Sequence, residues 1–158
     1  MGPRVDALLQ QLDESRAYLE RVIAQVEDWD MQVYADGLAW TARELIIHLA
    51  DADKGHNFQA MSIAQDKNPI PEDFDIERYN RRMTEKTAEK SAEQALEELA
   101  QTREQLKAWL AEIDDSILDK KGRHASLHIL SVEEILGWSA KHERGHAEDL
   151  ENVLQSTG

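Results

Sequence analysis

Apolar residues recur every three or four positions along four long segments of this chain, and this spacing constrains the fold more than any other feature. The first segment, residues 4–28, repeats leucine and valine at steps of three, four or seven. An α-helix has 3.6 residues per turn, so this repeat gathers the apolar side chains on one face. Alternating strand patterns are absent, and only 3 prolines and 7 glycines interrupt the sequence. The sequence therefore predicts an all-α protein built from amphipathic helices.

Three capping boxes mark where the later helices begin. In this motif a serine or threonine precedes the helix, a glutamate or glutamine follows three residues later, and both side chains bond free backbone N–H groups. The three pairs are Thr41 with Glu44, Ser91 with Gln94, and Ser131 with Glu134. They predict helices at residues 42–65, 92–113 and 132–154.

The connections between these helices indicate the topology. Pro69 and Pro71 end the second helix, because proline lacks a backbone N–H and clashes with the preceding turn. The connection between the second and third helices is the longest, and it carries a short helix through Tyr79 and Met83. Residues 114–130 are predicted to form a loop. Four long helices joined in this way predict a four-helix bundle.

Composition excludes several classes of function. Asp and Glu number 32 against 18 Lys and Arg, which gives a net charge of −14. So acidic a surface repels nucleic-acid phosphates and anionic membranes, so neither is expected as a partner. The chain has no cysteine, which removes disulfides, thiolate metal sites and cysteine nucleophiles. Its length of 158 residues predicts a single domain, residues 1–158.

Targeting and membrane signals are also missing from the sequence. No segment carries the roughly 18 apolar residues of a membrane span. The first residues lack the apolar stretch of a secretory signal. We therefore predict a cytoplasmic protein whose partner is a small-molecule substrate.

Two histidines four residues apart form the most informative candidate site. His142 and His146 lie about 40° apart on the fourth helix, on the same side as Ile135 and Leu150. Both imidazoles are expected to face the bundle interior, where a polar group without a partner is costly. One metal ion can serve both imidazoles. Two core histidines held by hydrogen bonds are the alternative.

The second helix supplies the candidates for a third metal ligand. His48 lies at the edge of the apolar face, and His56, rotated by about 80°, lies nearer its centre. The two cannot readily share one ion, and periodicity alone does not choose between them. His124 and His128 fall in the predicted loop and are expected to be solvated.

The segment from His142 to His146 also spells the H-E-x-x-H pattern of zinc peptidases, in which Glu143 would be the general base. Few residues follow His146 to supply a third ligand, and no strand is predicted that could pair with an extended peptide. Glu143 is rotated by about 100° from His142, which favours a surface or bundle-edge position. A di-iron carboxylate site is also disfavoured, because Leu45 replaces the glutamate that would precede His48.

Two motifs resemble those of the DinB/YfiT-like superfamily. Residues 40–50, WTARELIIHLA, resemble the family's W-[ST]-x-x-E-[LI]-x-x-H-[LI]-A motif, and His142-x-x-x-His146 resembles its second motif. The similarity spans nearly the whole chain in the right order. It implies a four-helix bundle that holds one divalent metal on His48, His142 and His146.

The resemblance also implies a type of chemistry. Zn²⁺ and Ni²⁺ suit imidazole ligands, and Fe²⁺ or Mn²⁺ also fit. Three histidines leave a coordination position open, where a metal lowers the pKa of a water or a thiol. Characterised relatives include S-transferases and isomerases that activate a low-molecular-weight thiol such as bacillithiol or mycothiol, and others are labelled metal-dependent hydrolases. Relatives are often dimers, so a homodimer is implied.

With no cysteine in the chain, a thiol nucleophile has to be a cosubstrate. The predicted function is therefore a metal-dependent thiol S-transferase. A hydrolase at the same three-histidine site and a non-catalytic metal-binding bundle are the alternatives.

Four further residues are candidates to support this site. Asp51 and Asp149 each follow one of the histidines by about one turn and are candidates to orient the imidazoles. Arg81 and Arg82 are candidates to bind the carboxylates of an acidic thiol cofactor.

Overall fold

The computed structural model describes residues 2–157, and four long helices dominate it. They are α1 (Pro3–Ile23), α2 (Ala42–Ala64), α4 (Ala92–Leu110) and α5 (Val132–Thr157). α1 packs against α5, and α2 packs against both α4 and α5. The predicted all-α four-helix bundle is confirmed. None of these helices, within the described part of the chain, has the apolar run that a membrane crossing needs.

The connection between α2 and α4 carries the predicted short helix, α3 (Ile76–Lys86). The Asp75 side chain caps it by accepting a hydrogen bond from the Arg78 backbone N–H. α3 contributes no buried residue to the bundle. It therefore lies on the surface of the fold.

All three predicted capping boxes form. The Thr41 and Ser91 side chains each accept the N–H of the residue three positions later, and the reciprocal bonds are also present. Before α5, Ser131 Oγ accepts the Glu134 N–H, and Glu134 Oε1 accepts the Ser131 N–H. These pairs satisfy backbone donors that a helix start leaves free. The starts of the three helices therefore follow from local sequence.

Three predicted helix ends are wrong by several residues. α5 runs on to Thr157 rather than ending at residue 154, whereas α1 ends at Ile23 rather than at residue 28 and α4 at Leu110 rather than at residue 113. Val26 and Ile113 still pack against the core from the turns that follow α1 and α4. Their apolar character reflects burial in a turn, and the sequence pattern did not distinguish this from a further helical turn.

The predicted loop contains a small antiparallel hairpin, which corrects the expectation of a strand-free chain. β1 (Lys121–Arg123) pairs with β2 (Ile129–Ser131), after a short 3₁₀ helix at Asp115–Asp119. Three-residue strands are too short to show an alternating pattern. Gly122 packs directly on α2, because a Cβ at this position would lie 2.5 Å from Ile63 Cγ1. The hairpin is thereby held against the bundle.

The apolar core is divided into two clusters along the bundle axis. One cluster includes Leu19, Val22, Leu45, Leu49, Leu99 and Leu150, and the other includes Leu8, Leu12, Ile63, Leu106, Leu110 and Ile135. Each of the four long helices contributes to both clusters. On each of these four helices, a charged residue lies between the residues of one cluster and those of the other.

These four charged residues form a buried ion-pair network with one member from each helix. Arg16 Nη2 lies 2.9 Å from Glu143 Oε1 and 3.5 Å from Asp53 Oδ2. Arg103 Nη2 lies 3.9 Å from Asp53 and 4.0 Å from Glu143. Asp53, Arg103 and Glu143 are each only 4% exposed. Two positive and two negative charges balance, which is the condition for burying them together.

Glu143 therefore does not occupy the surface or bundle-edge position expected from the sequence. Its Oε1 accepts two hydrogen bonds from the Arg16 guanidinium, and its Oε2 accepts one from Ser15 Oγ at 3.2 Å. The rotation of about 100° from His142 turns Glu143 toward α1. The sequence of α5 alone does not show that α1 packs on this side.

Leu106→Ala tests the core assignment. Leu106 is fully buried, so truncation is expected to lower the free energy of unfolding by roughly 2–5 kcal/mol. Chemical denaturation of both proteins measures this difference. Leu127→Ala is the matched control, because Leu127 is 44% exposed and a surface change is expected to cost no more than about 0.5 kcal/mol. Equal losses in the two variants would contradict the described core.

Glu143→Gln tests the ion-pair network. The substitution keeps the side-chain shape but leaves a buried positive charge in excess, so the free energy of unfolding is expected to fall by about 3 kcal/mol or more. Glu148→Gln on the same helix is the control, because the Arg144–Glu148 pair is 52% exposed on both sides and contributes at most about 1 kcal/mol. A smaller loss at Glu143 than at Glu148 would show that the network does not form.

Candidate metal centre

Three imidazoles from two helices converge at one point of the bundle. His48 comes from α2, and His142 and His146 come from successive turns of α5. His142 Nε2 lies 3.2 Å from His48 Nε2 and 3.2 Å from His146 Nε2. One ring nitrogen of each residue lies within 4.8 Å of those of the other two. In the described part of the chain, this is the only such group of potential metal ligands.

The spacing fits a divalent metal. Two nitrogens bound to one Zn²⁺ at 2.0–2.1 Å with tetrahedral angles lie about 3.3 Å apart. The two observed Nε2 separations of 3.2 Å match this value. A neutral imidazole has one protonated and one unprotonated nitrogen, so each of the three rings can turn a lone pair toward the other two. A metal ion would use those lone pairs.

The surroundings keep the three imidazoles neutral. Burial, followed by the like charges of the neighbouring His146 and His48, lowers the pKa of His142 to about 2. Burial, followed by the repulsion from His146, lowers the pKa of His48 to about 3. Burial also lowers the pKa of His146. The unprotonated form is the one that a metal binds.

Tyr34 links His146 to Asp149. The Tyr34 hydroxyl donates to Asp149 Oδ2 at 2.6 Å, and the same oxygen lies 2.6 Å from His146 Nδ1. Because the hydroxyl proton is directed to Asp149, the oxygen accepts the Nδ1 proton of His146. This arrangement leaves Nε2 of His146 without a proton, facing the other two histidines. Burial and then the Asp149 bond raise the pKa of Tyr34 and keep its hydroxyl protonated.

An aromatic stack fixes the orientation of His48. The Trp40 indole stacks on the His48 ring with 4.3 Å between centroids and 26° between planes. Trp40 Nε1 donates to Thr84 Oγ1 on α3 at 3.0 Å, which anchors the indole. The segment before α2 therefore both caps the helix through Thr41 and holds the ring of His48.

A cavity of about 380 Å³ adjoins the three-histidine cluster. His48 and His142 form one side of it. The remaining wall includes six large aromatic or aliphatic side chains, namely Phe58, Ile70, Phe74, Ile76, Tyr79 and Trp138. Within the described residues, the lining includes no lysine or arginine, and Asp51 is its one carboxylate.

His56 and His124 lie in the cavity wall rather than in the cluster. Their rings stack in parallel, with 5.1 Å between centroids and 5° between planes. His124 is 3% exposed, so the expectation that it is solvated is wrong, because the β1–β2 hairpin carries it inward. His128, on the same turn, is exposed as expected. Burial lowers the pKa of both His56 and His124 to about 4.

The other candidate residues have different outcomes. Asp51 accepts a hydrogen bond from the Tyr79 hydroxyl at 3.3 Å, and Asp149 acts on His146 through Tyr34 rather than directly. Arg81 and Arg82 are exposed on α3 and do not line the cavity. Their proposed role toward a thiol cofactor stays a prediction.

Comparison with known proteins identifies the family. The chain belongs to the DinB superfamily, whose family model matches residues 11–150. Comparison with curated proteins gives no match.

Two solved structures share the fold. One is YfiT from Bacillus subtilis, described as a probable metal-dependent hydrolase with an unusual four-helix bundle topology. It is 20% identical, with a TM-score of 0.78 over 100% of this chain and 90% of that chain. The other is an uncharacterised protein from Escherichia coli UTI89. It is 14% identical, with a TM-score of 0.77 over 97% of this chain and 94% of that chain.

Tyr34→Phe tests the link from His146 to Asp149. Without the hydroxyl, Nδ1 of His146 loses its hydrogen-bond partner and the orientation of the ring is no longer fixed. The dissociation constant for Zn²⁺ is therefore expected to rise roughly tenfold to a hundredfold. Competition with a chelating dye measures the affinity. Tyr18→Phe is the control, because the Tyr18 hydroxyl donates to Glu151, away from the cluster. Unchanged affinity in Tyr34→Phe would show that the hydroxyl has no part in metal binding.

Proposed function

We propose that His48, His142 and His146 bind one divalent metal ion, and that the chain is a metal-dependent enzyme acting on a small molecule. The observation that supports this most is the position of the cavity. The two histidines whose Nε2 atoms lie 3.2 Å apart, His48 and His142, also form part of the cavity wall. A substrate in the cavity would lie beside the ion.

The arrangement favours catalysis over a purely structural metal. A structural site is closed by a fourth protein ligand, whereas a catalytic site leaves a position for water or substrate. Asp51 and His56 lie in the cavity wall with His48 and His142 and are the residues that could supply a fourth ligand. Asp51 instead accepts from Tyr79, and His56 stacks on His124. The group of potential ligands within the described residues holds three members.

Hydrolysis is the reaction that this geometry supports best. A bound divalent ion supplies Lewis acidity, which lowers the pKa of a nucleophile toward neutral pH. The chain has no cysteine to act as that nucleophile. The described lining has no lysine or arginine to hold the acidic groups of a thiol cofactor. Water needs no such binding group. The description of YfiT as a probable metal-dependent hydrolase is in keeping with this choice.

In this proposal the chain's own residues position the reactants. Tyr34 and Asp149 hold His146 in the tautomer with a free Nε2, and Trp40 holds the His48 ring. The aromatic and aliphatic part of the wall would exclude water from the body of the substrate, while His48 and His142 lie beside it. Zn²⁺ and Ni²⁺ are the ions proposed, since both suit imidazole.

Thiol S-transfer is the second candidate function. Arg81 and Arg82 directly follow Tyr79 and Asn80, which line the cavity. An acidic low-molecular-weight thiol could therefore pair with arginines outside the cavity while its sulfur reaches inside. Dependence of the reaction on added thiol separates this candidate from hydrolysis.

Metal content and two probe reactions test the proposal. The parent is expected to bind about one Zn²⁺ per chain in elemental analysis, and His48→Ala and His146→Ala are expected to bind none. Both variants should remain helical in circular dichroism, because a helix interior tolerates alanine. His56→Ala separates the two candidate ligands on α2 and is expected to keep the metal. His128→Ala, an exposed histidine, is the matched control.

The probe reactions then distinguish the two functions. Zinc-dependent hydrolysis of 4-nitrophenyl acetate, lost in His48→Ala and kept in His128→Ala, would support the hydrolase. Loss of 1-chloro-2,4-dinitrobenzene only when bacillithiol is added would favour S-transfer instead. A parent that takes up no divalent metal after reconstitution would contradict both.

A further inference from the structure

Asp51 is the one carboxylate in the described wall of the large cavity, and no cation of the described chain pairs with it. Lys54 and Lys90 act on its charge from beyond ion-pair distance, and Lys90 pairs with Glu98 at 2.8 Å. Burial raises the pKa of Asp51 above its ordinary value. A half-buried carboxylate without a compensating charge is costly, so a partner from outside the chain would stabilise it.

One oxygen of Asp51 is both free and accessible. Oδ1 accepts a hydrogen bond from the Tyr79 hydroxyl at 3.3 Å. Burial, followed by the charge of Asp51, raises the pKa of Tyr79 to about 12, so the hydroxyl keeps its proton. Oδ2 has no hydrogen-bond partner within the described residues, yet it is not one of the fully enclosed atoms that lack one, as Nε2 of His124 is. Oδ2 therefore keeps accessible surface.

The hydrogen bond with Tyr79 shows which space the carboxylate adjoins. Asp51 lines the large cavity and also a much smaller space between α2 and α3. Tyr79 belongs to the wall of the large cavity and not to that of the smaller space. Because the carboxylate meets the Tyr79 hydroxyl, it lies at the wall of the large cavity.

Aromatic rings lie beside this carboxylate. The Phe74 ring packs on the Tyr79 ring with 5.6 Å between centroids. Phe58 and Trp138, which belong to the same wall, are exposed. The face of an aromatic ring carries partial negative charge and attracts cations, and ammonium ligands are commonly held by several such rings. A carboxylate among four aromatic side chains is thus the composition of a site for an organic cation.

Other classes of ligand fit the cavity less well. An anion would meet Asp51 and, within the described lining, no lysine or arginine. An uncharged apolar molecule would remove water from Asp51 without replacing the lost solvation. The carboxylate also lies outside the group of histidine nitrogens that would hold the metal. A cavity of about 380 Å³ is in the range of small-molecule sites.

We propose that the cavity binds a small organic cation, an ammonium group on an apolar body, and that the ammonium group lies against Asp51 and the rings of Phe74 and Tyr79. Asp51 follows His48 by about one helical turn, so the remainder of the molecule would extend toward the three-histidine cluster. That this cation is the enzyme's substrate rests on the proposed function; that the cavity binds it does not.

Choline and 3,3-dimethyl-1-butanol test the proposal on the full chain, both reconstituted with Zn²⁺ and after dialysis against EDTA. The two molecules have the same shape, but choline carries a quaternary nitrogen where the alcohol carries a carbon. NMR titration, in salt that screens the surface charge, gives both dissociation constants. After EDTA treatment, choline is expected to bind roughly threefold to thirtyfold more tightly, the size of a cation–π contact. Zn²⁺ at the cluster repels the ammonium group, so the reconstituted protein is expected to show a smaller preference.

Two variants that each remove one negative charge locate the effect. Asp51→Asn keeps an oxygen for the Tyr79 hydroxyl but removes the charge, so the preference for choline is expected to disappear. Asp73→Asn, at an exposed position outside the cavity wall, is expected to keep it. Should Asp51→Asn fail to fold, the parent still decides the question: the carboxyl ¹³C signal of Asp51 should shift with choline and not with the alcohol.

Three results would overturn the proposal. They are equal binding of choline and 3,3-dimethyl-1-butanol by the EDTA-treated parent, an unchanged preference in Asp51→Asn, and equal losses of preference in Asp51→Asn and Asp73→Asn. Each would leave the three-histidine metal site intact. Conversely, a chain that binds no metal but prefers choline would contradict the proposed function alone.

Discussion

Four buried charges at the middle of the bundle determine how its helices align. Arg16, Asp53, Arg103 and Glu143 come from four different helices and pair with one another between two apolar clusters. Leucine stripes tolerate sliding because one apolar contact resembles the next, but a buried charge must meet its partner. We therefore regard this network as the feature that sets the helix register.

The register in turn sets the position of the histidines. Glu143 is the neighbour of His142, and Asp53 follows His48 by just over one turn. Once Glu143 and Asp53 are fixed against Arg16, the two histidines lie at the same level of the bundle. The Nε2 atoms of His48 and His142 lie 3.2 Å apart. This distance follows from the ion-pair network, although the charged groups of the network do not contact these ring nitrogens.

Features that depend on neighbours along the chain could be predicted from the sequence. The capping boxes fixed three helix starts because each is a contact within four residues. The apolar stripes identified core residues such as Leu106. The convergence of His48, His142 and His146 was predicted from family resemblance; periodicity left His48 and His56 undecided, because both lie near the same face of α2.

What the sequence did not reveal depends on contacts between distant segments. Tyr34 lies in a non-helical link and meets His146 across 112 positions, so no local pattern indicated it. Glu143 appeared peripheral because its partner Arg16 lies on α1. His124 appeared solvated because the strands that carry it inward are three residues long. In each case the signal is a pairing in space, which one sequence does not contain.

The placement of α3 has a consequence for access to the cavity. Ile76, Tyr79 and Asn80 on this helix form part of the cavity wall, yet α3 buries no side chain in the core. Its side-chain links to the bundle include the Tyr79–Asp51 and Trp40–Thr84 hydrogen bonds. Local opening of such a segment costs far less than global unfolding. Amide hydrogens of α3 should then exchange with solvent faster than those of α2 and α5, so the part of the cavity wall that α3 supplies is held less firmly than the part that carries the histidines.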